Sequence, residues 1–202
     1  SLMVIMSSLF EPTCAIDAPV YEQRRRLEVN CGWTCSDINC QVPSEIVTIS
    51  ENCTLTANLV VMAASPVTVT SGGGERRTIT GRGTTSGGSG RHFTLYAGAE
   101  LTVRKLRLEG GKDGGAGGSI FVGHLGAAKA IVEDCIFSSN TAATDGGAIA
   151  VVGAGSEVVI SNSTFESNIA VGSGGAFYAS SSNVYVEVTK SIFVGNTASV
   201  DG

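Results

Sequence analysis

The chain reads as an all-β parallel β-helix, and three observations predict it. Phe137, Phe165 and Phe193 stand 28 residues apart, and so do Asn140, Asn168 and Asn196. Gly146-Gly147 and Gly174-Gly175 keep the same interval. A constant period in the range of about 20–50 residues marks one supersecondary unit stacked repeatedly on itself. Finally, no stretch between 44 and 202 carries a sustained 3.6-residue pattern with helix caps, whereas short β-branched runs between Gly- and Ser-rich turns are frequent.

The repeating strands are Ala130–Phe137, Val158–Phe165 and Val186–Phe193. Successive side chains of a strand point to opposite faces, so the columns can be sorted by composition. Ala130/Val158/Val186 and Val132/Ile160/Val188 are apolar in every copy and are expected inside. Ile131/Val159/Glu187 and Glu133/Ser161/Thr189 vary in polarity and are expected outside, with Asp134/Asn162/Lys190 at an exposed bend. Cys135/Ser163/Ser191 is a small column, and the phenylalanines after it point inward again. In a second strand of each unit Ile120/Ile149/Phe177 and Val122/Val151/Ala179 face inward, and Phe121/Ala150/Tyr178 face outward. Like residues one period apart then lie about 4.8 Å from each other, and stacked asparagine amides can bond along the stack. Phe137, Phe165, Phe193, Asn140, Asn168, Asn196, Gly146, Gly147, Gly174 and Gly175 are thereby structural ladder residues.

A weaker copy lies upstream at Leu106–Leu108 and Gly117–Ile120, offset by 29 residues, and Ile46–Ile49, Val67–Thr70 and Leu101–Val103 are further strands. The expected organisation is an N-terminal segment with a cysteine-rich cap over 1–44, and a β-helix over 45–202 whose best repeats span 101–202. The last unit stops mid-coil, after its Phe-Asn turn.

Phe-x-x-Asn paired with Gly-Gly-Ala-Ile, in Phe137–Asn140 with Gly146–Ile149, Phe165–Asn168 with Gly174–Phe177, and Phe193–Asn196, resembles the repeats of polymorphic outer-membrane-protein and adhesin-type β-helices, within the wider pectin-lyase-like superfamily. Gly98–Gly111 is similar to the coil that opens such arrays. The resemblance implies a right-handed helix and a surface protein. It is specific for fold and weak for function, because one fold hosts many functions.

Five of six cysteines (Cys14, Cys31, Cys35, Cys40 and Cys53) crowd the first 53 residues, which predicts a disulfide-stapled cap and an oxidising, extracellular or cell-surface setting. A zinc reading of Cys31, Cys35 and Cys40 finds no nearby histidine. Five is an odd number, so one of the group is free or pairs outside it. Cys135 is expected as a buried thiol. Asn52-Cys-Thr54 and Asn162-Ser-Thr164 are acceptor sequons, so N-linked glycans are the only cofactor-like groups expected.

The formal charge of −5 is unevenly spread: residues 1–129 carry twelve basic and eleven acidic groups, and residues 130–202 carry one and seven. An acidic chain with sparse aromatics does not carry a nucleic-acid footprint. Residues 1–10 are apolar but shorter than the roughly 20 residues a bilayer-spanning helix needs, and no other membrane span is expected.

Polysaccharide lyases and hydrolases on this fold need clustered carboxylates, and here Asp113, Glu133, Asp134, Asp145, Glu157, Glu166 and Glu187 are dispersed. No catalytic or metal site is expected. The leading expectation is a secreted structural or adhesive protein that assembles head-to-tail with itself, as an extracellular fibre or surface-layer subunit. Val4, Ile5, Met6, Leu9 and Phe10 are the candidate strand donated to a neighbour's open end, unless the chain is a fragment of a longer array. The alternative is a carbohydrate-binding or polysaccharide-cleaving domain using an outer face near Phe121 and Tyr178. Ice binding is third, since the outward columns lack an ordered threonine array.

Overall fold

A computed structural model describes residues 26–29, 39–41, 46–55, 58–62, 66–83 and 89–200. Among them every regular element is a strand, and the strands stack into four sheets that run along a solenoid of about five turns. One coil is enough to show the plan. Lys129–Glu133 lies in the first sheet, Ile136–Ser138 in the second, Thr141–Ala142 in the third and Ile149–Val151 in the fourth. The next coil repeats this as Glu157–Ser161, Thr164–Glu166, Ile169–Ala170 and Phe177–Ala179, and the last as Tyr185–Thr189, Ile192–Val194 and Thr197–Ala198.

Pairing between these coils is parallel and shows no slip. Ala130 pairs with Val158 and Val158 with Val186, while Phe137 pairs with Phe165 and Phe165 with Phe193. Towards the N-terminus the step becomes irregular. Ile46 pairs with Thr68, a step of 22, whereas Val67 pairs with Leu101, a step of 34. Arg26–Val29 and Asn39–Gln41 continue the first and fourth sheets on that side, pairing with Ile46–Ile49 and Asn58–Val60.

The bend expected at Asp134 divides the stretch 130–137 into two strands, Lys129–Glu133 and Ile136–Ser138. Asp134 takes φ of 54°, and its equivalents Lys105, Asn162 and Lys190 take 52°, 48° and 50°. Left-handed backbone at a non-glycine residue is uncommon, so four in one column define a corner of the coil. A second corner follows at Gly110, Ser139, Ser167 and Gly195, with φ of 54–65°. The column of short third-sheet strands beyond it carries no hydrophobic alternation that a sequence could show.

Inside, the apolar columns close the core. Ala130, Val132, Val158, Ile160, Ile120, Val122, Ile149 and Val151 are all buried. Val186, Val188 and Phe193 occupy the same columns in the last coil and are partly exposed, because no coil covers them in the structure. Ala150 stands between Phe121 and Tyr178 on the outer side of the fourth sheet and is nonetheless 0% exposed, so an outward column can also be covered.

The glycine pairs permit the tightest approach in the fold. Gly146 adopts φ of 65°, and a Cβ there would meet Ile149 O at 2.3 Å. Gly147 has no unusual φ, but its Cβ would sit 2.0 Å from Gly175 O and 2.7 Å from the Ile169 backbone. Backbone atoms of the neighbouring coil cannot move without breaking the ladder. Gly147→Ala is therefore expected to destabilise the protein by about 3 kcal/mol. Gly74→Ala, where a Cβ meets nothing within 4 Å, should leave the denaturation midpoint unchanged. Equal midpoints for both variants in urea titrations would refute this account of the glycine pair.

Candidate functional site

The repeat's polar and aromatic landmarks converge on the interior of the rod. Asn140 and Asn168 are 0% exposed. Asn168 Nδ2 donates to Phe137 O at 3.1 Å and to Asn196 Oδ1 at 2.8 Å. Its Oδ1 accepts from Asn140 N at 3.1 Å and from Asn140 Nδ2 at 2.9 Å. All four hydrogen-bonding positions of the amide are thus filled. Asn140 repeats the pattern towards Leu108 O at 3.0 Å and accepts from Gly111 N at 2.9 Å, and Asn196 donates to Phe165 O at 2.9 Å.

The phenylalanines stack beside this ladder. Phe137 and Phe165 have ring centroids 4.7 Å apart and planes within 2°, and Phe165 and Phe193 are 4.7 Å apart within 3°. Parallel rings at that centroid distance are offset, the arrangement the ring quadrupole favours.

A second polar ladder runs at the first corner. Ser163 Oγ accepts from Cys135 N at 3.1 Å and donates to Ser161 O at 2.8 Å, and Ser191 Oγ accepts from Ser163 N at 3.2 Å. In the sequence this column shows only as a run of small residues, although its 28-residue spacing was there to be read. Cys135 takes the serine's place, with Sγ donating to Glu133 O. Burial pushes its thiol up to about 12, so it stays protonated and is no nucleophile at neutral pH.

Basic and acidic side chains on the outer faces pair across coils. Arg76 meets Asp134 at 2.8 Å, Arg104 meets Glu133 at 2.5 Å, and Lys129 meets Glu157 at 3.0 Å. Arg107 Nη2 reaches two coils along to Glu166 at 2.7 Å. The pair Arg91–Asp113 is largely buried, and Arg91 also lies 4.7 Å over the centre of the Phe121 ring. Neither contact was visible in the sequence, because Arg91 precedes the regular repeats. Among the described residues no group of three or more His, Cys, Asp or Glu could hold a metal ion. No helix among them is long and apolar enough to cross a membrane.

The remaining sequence-derived positions fall as follows. Asn162 is exposed at its corner, its Nδ2 3.4 Å from Asp134 Oδ1, and Asn52 is exposed with Oδ1 accepting from Thr78 N at 2.9 Å. Phe121 and Tyr178 are part-exposed on the outer fourth sheet, where His124 joins Phe121 at 6.0 Å and Tyr96 at 4.6 Å between ring centres. Cys14, Cys31, Cys35 and the strand candidate Val4, Ile5, Met6, Leu9 and Phe10 lie outside the described residues. Cys40 is placed by its backbone alone, in Asn39–Gln41.

Comparison with known proteins picks out the same units. Residues 134–151 and 162–180 match the Chlamydia polymorphic membrane protein repeat. Each match runs from the first corner through Phe and Asn to the Gly-Gly strand of the fourth sheet, and so covers the residues that form the ladders. No curated protein and no solved structure matches the chain.

Removing one rung should be costly, since it strands partners on both neighbouring coils. Asn168→Ala leaves Asn140 N and one Asn140 Nδ2 hydrogen without their acceptor, takes a donor from Phe137 O, and leaves Asn196 Oδ1 with only the Asn168 backbone N–H. A loss of about 3–5 kcal/mol is expected, at about 1–3 kcal/mol for each buried group left unpaired and with partial relaxation. Asn168→Asp should be worse at neutral pH, because a buried carboxylate has no N–H to give, and it should recover in part on acidification. Urea unfolding at pH 7 and pH 4 measures both, and an Asp variant as stable as native at pH 7 would contradict the ladder.

Proposed function

We propose that this protein is a structural or adhesive β-helix rod of the cell surface, and that copies of it join head to tail. The observation that carries the reading is where the repeat's residues are used. Phe137, Phe165, Asn140 and Asn168 are all buried and satisfied by neighbouring coils, so the motif builds a rod rather than a reaction centre. The match to a polymorphic membrane protein repeat supports a surface location for a chain of this kind. Supporting assembly, the coils join through parallel backbone pairing and stacked Phe and Asn side chains, contacts that a further unit with the same repeat can extend.

An oxidising extracellular setting belongs to the same proposal. Supporting it, Cys53 is disulfide-bonded. Asn162 lies on an exposed corner that leaves room for a glycan. Expressed through a eukaryotic secretory pathway, the protein should lose mass on glycosidase treatment, and Asn162→Gln should remove part of that loss. An unchanged mass in the native chain would eliminate the glycan from the proposal.

Assembly is tested by negative-stain electron microscopy of the whole chain beside a variant lacking residues 1–12. Fibres that disappear with the truncation are expected. Monodisperse particles in both samples would remove self-assembly from the reading. They would favour instead a carbohydrate ligand on the outer aromatic face of Phe121 and Tyr178, where Arg91 and His124 also stand.

A further inference from the structure

Four backbone carbonyls line up along the rod at the start of the ladder column. Ile79, Leu108, Phe137 and Phe165 occupy paired positions in successive strands of the second sheet. The last three each receive a hydrogen bond from the asparagine of the next coil: Leu108 O from Asn140, Phe137 O from Asn168, and Phe165 O from Asn196. By the same rule Ile79 O should be met by the residue at 111, since Lys112 pairs with Thr141 just as 111 aligns with Asn140. That residue is Gly111, and it has no side chain to offer.

The bond is made nevertheless. His92, from the fourth-sheet side of the coil, places Nε2 2.9 Å from Ile79 O. A Cβ added to Gly111 would stand 2.3 Å from Gly118 O and 2.9 Å from both Cε1 and Nδ1 of His92, so backbone and imidazole together leave no room for a ladder side chain there. His92 is 0% exposed, and its Nδ1 lies 2.9 Å from Ser119 Oγ. A carbonyl can only accept, so Nε2 carries the proton, and Nδ1 accepts from the Ser119 hydroxyl.

We propose that His92 is the terminal rung of the interior ladder, replacing the amide that Gly111 lacks, and that its protonation loosens the rod at this coil junction. Hydrogen bonding alone does not forbid the imidazolium, because the Ser119 hydroxyl can turn to accept from Nδ1. The obstacle is burial of a cation: His92 is 0% exposed, and neither of its hydrogen-bond partners, Ile79 O and Ser119 Oγ, is a carboxylate. The charged residues on the packed elements are engaged elsewhere: Arg77 with Glu75, Arg107 with Glu109 and Glu166, and Arg91 with Asp113, while Lys112 is exposed. Burial accordingly lowers the His92 pKa from 6.5 to about 4, opposed by the carbonyls of Ile79 and Glu109.

The sign follows from which state binds the proton. Between about pH 6.5 and pH 4 the unfolded chain takes up a proton that the folded chain refuses, so stability is lost as the pH falls through this window. Between pH 7 and pH 5 the unfolding equilibrium constant should rise about twentyfold from this group alone.

The test uses the whole chain. The sequence has two histidines, so His124→Gln leaves a single ring to observe. In that protein, nitrogen NMR should show His92 as the neutral Nε2–H tautomer from pH 7.5 down to pH 5. A ring that titrates near pH 6.5, or an Nδ1–H tautomer, would overturn the proposal without any change at His92 itself. Urea unfolding at pH 7 and pH 5 supplies the second arm. His92→Asn and His92→Gln, which offer a neutral amide, should lose about twentyfold of the native pH dependence. A variant that folds at pH 7 and keeps the full native slope would also overturn it.

Discussion

The buried asparagine amide sets the terms for this fold. It has two donors and two acceptor positions, none of which can reach water, and each must be met within the protein. Asn168 meets them with one carbonyl, one backbone N–H and the amides before and after it. Only coils stacked at a constant step can supply that set. One inserted residue between Asn140 and Asn168 would move a rung out of line and leave several polar groups buried and unpaired, at about 1–3 kcal/mol each. The constant 28-residue spacing, the shared corners and the close glycine pairs all serve this one requirement.

The outer faces obey looser rules. Their ion pairs are part-exposed and bridge coils wherever a basic and an acidic residue fall within reach, as with Lys129–Glu157 and Arg104–Glu133. Exposed pairs of this kind contribute about 0–1 kcal/mol, so they can change without loss of the rod. Recognition by such a protein would be written on these faces, where the period demands nothing. The interior is regular for the same reason that the exterior is free to vary.

This division also explains what was legible in the sequence. The inward columns, the Phe and Asn ladders and the exposed corner at Asn162 could be read because each is a single position repeated at one interval. The bend at Asp134 belongs to that polar column, whereas the second corner at Ser139 and Ser167 could not be read, since small residues in a turn do not reveal a left-handed backbone. Burial of Ala150 was hidden because it depends on the size of Phe121 and Tyr178 beside it. His92 was the least visible of all. It fills a rung from another face of the coil, and no fixed spacing connects it to Gly111.

The ladder is also directional. From Asn140 to Asn168 and from Asn168 to Asn196, the backbone N–H and the amide Nδ2 both give to the Oδ1 of the following asparagine. The side of Asn196 away from Asn168 therefore offers donors, whereas an incoming coil must offer Oδ1. A coil approaching in the opposite sense would set donors against donors. The charge distribution points the same way, because residues 130–202 hold seven acidic groups and one basic, while residues 1–129 hold a slight basic excess. The sense of the ladder is thus fixed by which atom of each amide gives and which receives, and a coil stacked in the same sense continues it without leaving a donor unmet.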